Sequence, residues 1–436
     1  MKRVLLTVLA GALAALPFVP ARAGDDTEKR FEFDGLVRAR FDYTNNFFDH
    51  TKTTDDYQNF TSYRAYVGLT GNFAKNVSAH VVVQDTGNFG GKTGNVFSDN
   101  SSHVTFYQGW VDAADIGGSG FSLRVGRQEH TYGTELFLGD SDYYNGQTFD
   151  GLRGRWQRGG NDLNFFHYKL YEQSSVNQPA PPFFGGPTTV TGDTNISGVT
   201  YDYMFKTMGT VGGYVLFAQD LGGHGLLPTD HSTLNTYGVR WNNGMMNGDK
   251  LNMIDWNIEA AVQDGTSRGF DETKTNLGGW VGEGWLGFNF KAGDSHGRAH
   301  VGTLMTSGFK DSSSKDGEFH NLFGDFHAHN RFGDMDWLEY YWGVADVTDI
   351  NVGYEHWIGA DHRVMIAYHN FTETDGDVNH LQHDKIGHEV DVEYNYQYSK
   401  NVGIEVMLGQ ASLNSSFAGF KTDAIQQARV QAKLNW

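Results

Sequence analysis

Read back from its C-terminus, the chain alternates. Ala428, Val430, Ala432, Leu434 and Trp436 share one parity, and Arg429, Gln431, Lys433 and Asn435 share the other. Period two marks a strand with one apolar and one polar face. Here it runs to an aromatic at the last residue. The same alternation recurs in 31–43, where Phe33, Val37, Ala39, Phe41 and Tyr43 oppose Glu32, Asp34, Arg38, Arg40 and Asp42. In 61–73, Tyr63, Ala65, Val67, Leu69 and Phe73 oppose Arg64, Tyr66, Thr70 and Asn72. A tight turn at 74–76 leads to Val77, Ala79, Val81 and Val83 on one face. Later segments at 103–113, 119–130, 147–158, 161–173, 193–205, 209–220, 235–244, 251–264, 276–291, 297–307, 343–358, 362–372, 386–398, 402–412 and 423–436 follow the pattern less cleanly.

The pattern predicts about eighteen strands, within a range of sixteen to eighteen. Connections near 74–76, 159–160, 206–208, 359–361 and 399–401 are short. Those near 44–60, 87–102, 174–192, 221–234, 308–342 and 373–385 are long. The stretch 178–187 holds four of the seven prolines, which suits a loop and not a ladder. This asymmetry points to an all-β fold: a transmembrane antiparallel β-barrel with short periplasmic turns, long extracellular loops and a wet interior. An even strand count places both termini in the periplasm. With neither a linker nor an internal repeat in view, residues 24–436 read as a single barrel domain.

Composition agrees. Aromatics are 14%, glycines 56, prolines only 7, and mean hydropathy is -0.48. Such a polar average, rich in aromatics, fits aromatic girdles around a wet lumen. Residues 1–23 read as a cleaved signal peptide: Lys2 and Arg3, an apolar run from Val4 to Val19, and an Ala21-Arg22-Ala23 cleavage site. The absence of cysteine excludes disulfides and thiolate metal sites. The net charge is -19, and removing three basic residues with the leader brings it near -22. That argues against nucleic acid as a partner.

The inward parity carries the candidate chemistry. In the first two-thirds it is mostly basic: Arg38, Arg40, Arg64, Arg124, Arg153, Arg155, Lys169 and Arg240. In the last third it is mostly acidic: Glu355, Glu389, Asp391, Glu393 and Glu405. Strands distant in sequence face one another across a barrel, so a basic wall would oppose an acidic one and select solutes by charge. Alternatively, these charges pair with one another and only solvate the lumen. Arginine's planar fork grips carboxylates, which would suit an anionic or acidic-sugar solute. Inward Trp110 and Tyr66 would stack on sugar rings. Histidines gather at His320, His327 and His329 and at His380, His383 and His388, but no spacing matches a helical zinc site. No metal or other cofactor is expected. No G-x-S-x-G, H-E-x-x-H or Walker A pattern occurs, so the chain reads as a non-enzyme. A barrel hydrolase, or a receptor or adhesin working through its loops, are the rival readings.

Three segments resemble the alginate-export family of outer-membrane porins. Gly126 to Asp140 reads GRQEHTYGTELFLGD and runs on to TFDGLRGRW at Thr148 to Trp156. Near the end, GHEVDVEY at Gly387 to Tyr394 is followed by SKNVG at Ser399 to Gly403. The resemblance implies an eighteen-stranded monomeric porin of a Gram-negative outer membrane, passing an anionic polysaccharide such as alginate, or a related solute, without ATP. It carries Arg127, Arg153 and Arg155 over as pore or pore-mouth arginines, although Arg127 has the opposite parity to its strand's lumen face. A bulge or a loop-proximal position would reconcile the two. The chain departs from the family in its mixed lumen charge and acidic total. The expected job is passive, charge-selective passage of small charged or sugar-like solutes. The expected partners are outer-membrane lipid and lipopolysaccharide, and the barrel-assembly machinery acting on the C-terminal strand that ends in Trp436.

Overall fold

The computed structural model describes residues 30–47, 56–89, 104–143, 145–171, 193–220, 232–247, 250–268, 274–308, 315–325, 327, 331–338, 343–375, 385–415 and 422–436. The expected signal peptide and the proline-rich stretch 178–187 lie outside them. Eighteen strands follow in chain order. They are β1 (Phe31–Asn45), β2 (Gln58–Ala74), β3 (Val77–Asn88), β4 (Thr105–Ala113), β5 (Phe121–Gln128), β6 (Phe149–Arg158), β7 (Asn161–Tyr171), β8 (Thr194–Phe205) and β9 (Gly209–Asp220). The second half comprises β10 (Ser232–Asn243), β11 (Ile254–Arg268), β12 (Lys274–Ala292), β13 (Ser295–Thr306), β14 (Thr348–Ile358), β15 (His362–Thr372), β16 (Lys385–Ser399), β17 (Val402–Leu413) and β18 (Ile425–Asn435). Each is antiparallel to the next, and β18 pairs with β1, so the barrel closes and leaves no free edge.

The closing seam explains the C-terminal alternation. Val37 faces Leu434, Ala39 faces Ala432 and Phe41 faces Val430. Gly35 and Trp436 exchange backbone hydrogen bonds of 3.2 Å in both directions. A Cβ at position 35 would collide with the Trp436 indole, so glycine lets the terminal aromatic rest against the outer wall. A band of that wall is apolar all round: Val37, Val67, Val125, Val239, Ile258 and Val352 are 45% to 66% exposed. A closed ring of such side chains calls for a hydrocarbon solvent. Trp156, Trp241 and Trp436 stand at its short-turn rim.

The inner face is graded along the strands. Towards the long-loop rim it carries Ile196, Leu216, Leu234, Leu277, Leu304 and Phe371, all buried. Towards the short-turn rim the same parity carries Arg155, Asp202, Arg240, Asp255, Arg298 and Arg363. The interior expected to be wet divides in two. One half of the lumen is polar, and the other holds an apolar core.

Candidate functional site

Two connections turn inward and fill the long-loop half: 129–148, between β5 and β6, and the described part of 307–347, between β13 and β14. Leu136, Phe137 and Leu138 from the first pack with Phe319, Phe332, Trp337 and Leu338 from the second, all at 3% exposure or less. Backbone bonds stitch the two together. The Gly139 N–H donates to Phe323 C=O at 2.8 Å, Phe323 N–H to Phe137 C=O at 3.1 Å, and Asp325 N–H to Glu135 C=O at 2.9 Å. Glu135 is held with a left-handed backbone, φ 64°.

Charged groups anchor this plug to the wall. Arg331, fully enclosed, donates from Nε to Glu283 Oε2 at 2.6 Å and from Nη1 to Asp325 C=O at 2.9 Å, with Nη2 on Thr134 C=O. The Thr134 hydroxyl lies between two carboxylates, at 3.1 Å from Glu259 on β11 and in hydrogen-bond contact with Glu283 on β12. On the opposite side, Glu389 on β16 accepts from Met335 N–H at 3.0 Å and from the Trp337 indole, and Asp391 accepts from Asp334 N–H at 3.3 Å. Burial, then Asp391 and Glu393, push the Asp334 carboxyl upward. Burial, then Asp140, push the Glu135 carboxyl up to about 7. Ligand oxygens of Glu135, Asp140 and Asp325 lie within 4.8 Å of one another.

Five cations crowd onto three adjoining strands: Arg38 and Arg40 on β1, Arg64 on β2, and Arg429 and Lys433 on β18. Arg38 donates to Asp142 C=O and Arg40 to Tyr143 C=O, both at 2.6 Å. Arg64 meets the Asp142 carboxylate at 2.6 Å and Lys433 meets it at 3.4 Å. Arg429 pairs with Asp42 at 3.4 Å and Glu405 at 4.0 Å. The Tyr143 ring sits between Arg40, at 3.8 Å, and Arg429, at 4.6 Å, and stacks on His327.

Elsewhere the inward charges pair between nearby strands. Arg124 bonds Asp112 at 3.0 Å, Arg155 bonds Asp162, and Arg240 lies 3.6 Å from Asp202. Arg153 donates to Asn164 at 2.8 Å. Along β11 and β13–β16 runs a ladder of Asp255, Arg298, Glu355, Arg363 and Glu393 with contacts of 2.7 to 3.1 Å. Cations and anions thus interleave within the acidic third, and the simple two-wall arrangement gives way to local pairing. Arg298 and Arg363 were legible from parity alone but escaped the sequence reading.

Two sequence-predicted pore residues lie outside the lumen. Arg127 shares the outward parity of Leu123 and Val125, is 41% exposed, and pairs with Asp150 on the outer face at 2.6 Å. Lys169 faces Asp150 in the register and bonds Asp193 at 2.9 Å on that same face. Trp110 does point inward, but Arg124 covers its ring at 3.8 Å and His80 stacks on it. Tyr66 lies against Tyr107. His320 Nε2 lies 3.5 Å from Asp316 without a hydrogen bond, and His327 bonds Asp336 at 3.0 Å. His329, His380 and His383 lie outside the described residues.

Beneath the plug, on the side of β11–β15, is a cavity of about 710 Å³. Gly133, Thr134 and Arg331 form its roof; Trp285 and Trp357 line it below. A neighbouring cavity of about 270 Å³ shares Trp357 and Arg363 and reaches Gln431 and Lys433 at the basic strands.

A sequence model of a family described as alginate export matches residues 29–411. A search of curated proteins returns no match. Among solved structures, the chain is similar to OccK9 (OpdG) of Pseudomonas aeruginosa, with TM-score 0.61 and 12% identity over 93% of this chain and 98% of that one. A BenF-like porin from Pseudomonas fluorescens Pf-5 gives TM-score 0.60 and 11% identity over 93% and 98%. The outer membrane protein OprD from Pseudomonas aeruginosa gives 0.57 and 10% over 94% of each. At such identities the likeness is one of fold.

Proposed function

The chain belongs to the alginate export family of outer-membrane channels for small solutes, and from that premise we propose that it conducts passively and prefers anions. The carrying observation is the strip of Arg38, Arg40, Arg64, Arg429 and Lys433, where five cations share one side of the lumen. Fixed charge along a low-dielectric wall concentrates counter-ions and sets selectivity. Arg153, Arg155 and Arg240, with Glu355, Glu393 and Glu405, line the rest of the path and shape its field, while Glu389 and Asp391 hold the plug to the wall. The plug makes the resting path narrow.

In this reading the short-turn rim and both termini face the periplasm, and residues 1–23 direct export and are removed. The barrel works as a monomer in lipid and lipopolysaccharide. The assembly machinery reads the strand that ends in Trp436. No catalytic step is involved.

The test is the reversal potential of the refolded mature chain in a planar bilayer under a salt gradient. Anion preference is expected, and the Arg38→Gln/Arg40→Gln variant should lose most of it while keeping its heat-modifiable barrel. A cation-selective wild type overturns the proposal.

A further inference from the structure

We infer that the 710 Å³ cavity beneath the plug is a binding subsite for a neutral pyranose sugar. The inference rests on the channel reading above but names a solute that the basic strip does not.

The wall chemistry carries it. Among the residues lining the cavity, four carboxylates (Asp255, Glu283, Asp349, Glu355) meet three guanidiniums (Arg298, Arg331, Arg363). Each guanidinium nitrogen of Arg298 is already committed: Nε and Nη2 to Asp255 at 2.9 and 2.7 Å, and Nη1 to Glu355 at 2.8 Å. Arg363 is spent in the same way, on Glu355 at 2.9 Å, Glu393 at 3.1 Å and the Met365 sulfur at 3.4 Å. Every guanidinium nitrogen of these two arginines already serves a wall partner, so a solute carboxylate, which needs two parallel N–H donors, would have to compete with them. Conversely, an ionised carboxylate accepts several hydrogen bonds, and a salt bridge uses only part of that capacity. The fourth carboxylate, Asp349, is met by His369 Nδ1 at 2.8 Å, so the wall offers acceptors in a nearly balanced field. Hydroxyl donors suit it better than an anion does, and better than a cation, which would need an uncompensated carboxylate.

The second observation is aromatic. Trp285 lies on the inner face, on the parity of Glu283, and lines the cavity. Trp357 lines it too, braced by His296 stacked at 4.3 Å and 10°. Indole faces beside carboxylates and amides such as Asn257 and Asn351 match a pyranose, whose C–H face is apolar and whose rim is hydroxylated.

Three probes of one ring size separate the charge classes: glucose, glucosamine and glucuronate. Equilibrium dialysis with the whole mature chain should rank glucose the tightest binder, whereas swelling rates also report the anion preference set by the basic strip. Glucose should also shift tryptophan fluorescence, and Trp285→Leu should weaken that response about ten-fold, whereas Trp285→Tyr, which keeps a ring, should retain most of it. Tighter binding of glucuronate or glucosamine overturns the inference, as does a conducting barrel that shows no response to glucose. The wild-type ranking decides even where the Leu variant does not fold. A glucose-dependent fluorescence change in a barrel that passes neither ions nor sugar supports the subsite and overturns the channel reading.

Discussion

The two halves of the lumen are built from the same inward positions and solve opposite problems. On β8, Ile196 packs against the plug and Asp202, six residues on, faces Arg240. On β15, Phe371 packs against Trp337, whereas Arg363 joins the ladder with Glu355. The long-loop half behaves like the interior of a globular protein, where each buried aromatic or Leu contributes roughly 1.5–3 kcal/mol by leaving water. The short-turn half is held instead by charge pairs, half-exposed at Arg155 and Asp162 and largely enclosed at Arg298 and Asp255. The difference teaches that the plug's apolar packing and the paired charges reside in separate halves, while the basic strip joins them, because Arg38, Arg40 and Arg64 bond Asp142 and Tyr143 of the plug. The 315–338 part of the plug can be loosened without unmaking the charge pairs of the short-turn half.

Substitutions in each half sharpen that division. The largest effect is expected from Arg331→Ala. It removes the cation from an enclosed pair with Glu283, a change that typically costs about 3–5 kcal/mol. The cost falls on plug docking, because the eighteen-strand ladder does not depend on it. Limited proteolysis should open the 315–338 region and single-channel conductance should rise, with heat-modifiability intact. Unchanged cleavage and conductance would show that the plug is not held there. Next comes Trp337→Ala, which empties a site in the apolar half and should weaken docking by about 3–5 kcal/mol. The matched change in the other half, Arg155→Ala, removes a half-exposed pair with Asp162 and should cost less than about 1 kcal/mol. Equal costs in the two halves would break the comparison.

The barrel was legible because its outer face is uniform. Val37, Val67 and Val239 keep period two wherever lipid sets the rule, and the C-terminal alternation identifies the closing strand. The later strands read less cleanly for a physical reason now visible. Leu234, Leu277 and Phe371 are apolar on the inward parity, so both faces are apolar there and the alternation fades. The run Leu136-Phe137-Leu138 was the available sign of an inserted segment. Three consecutive apolar residues in a connection need burial on every side. Parity also assigned Arg153, Arg155 and Glu355 to the lumen face, and it flagged Arg127 as discordant. Motif likeness drew Arg127 inward, but its side chain follows parity. Arg331 and the cavity were beyond reach, because they depend on where two loops 197 residues apart in sequence come together.

The smallest expected effect concerns pH, and it probes the seam between the loops. Glu135 accepts from Asp140 N–H at 3.4 Å and lies among Asp140, Asp325 and Arg331. Burial first, and Asp140 next, raise its carboxyl from 4.5 to about 7. A group raised in the docked state stabilises docking fully below its undocked value, and that contribution is lost as pH climbs through the docked value. The seam should therefore be tightest below about 4.5 and should loosen as pH passes about 7. Proteolysis of 129–148 in the wild type should be slower at about pH 5 than at about pH 8 once the protease's own profile is divided out. Glu135→Gln, neutral at both, should remove that difference. If the variant keeps the wild-type pH dependence, the responsible group lies elsewhere, and the Asp334 carboxyl on the other face of the plug is the next to replace.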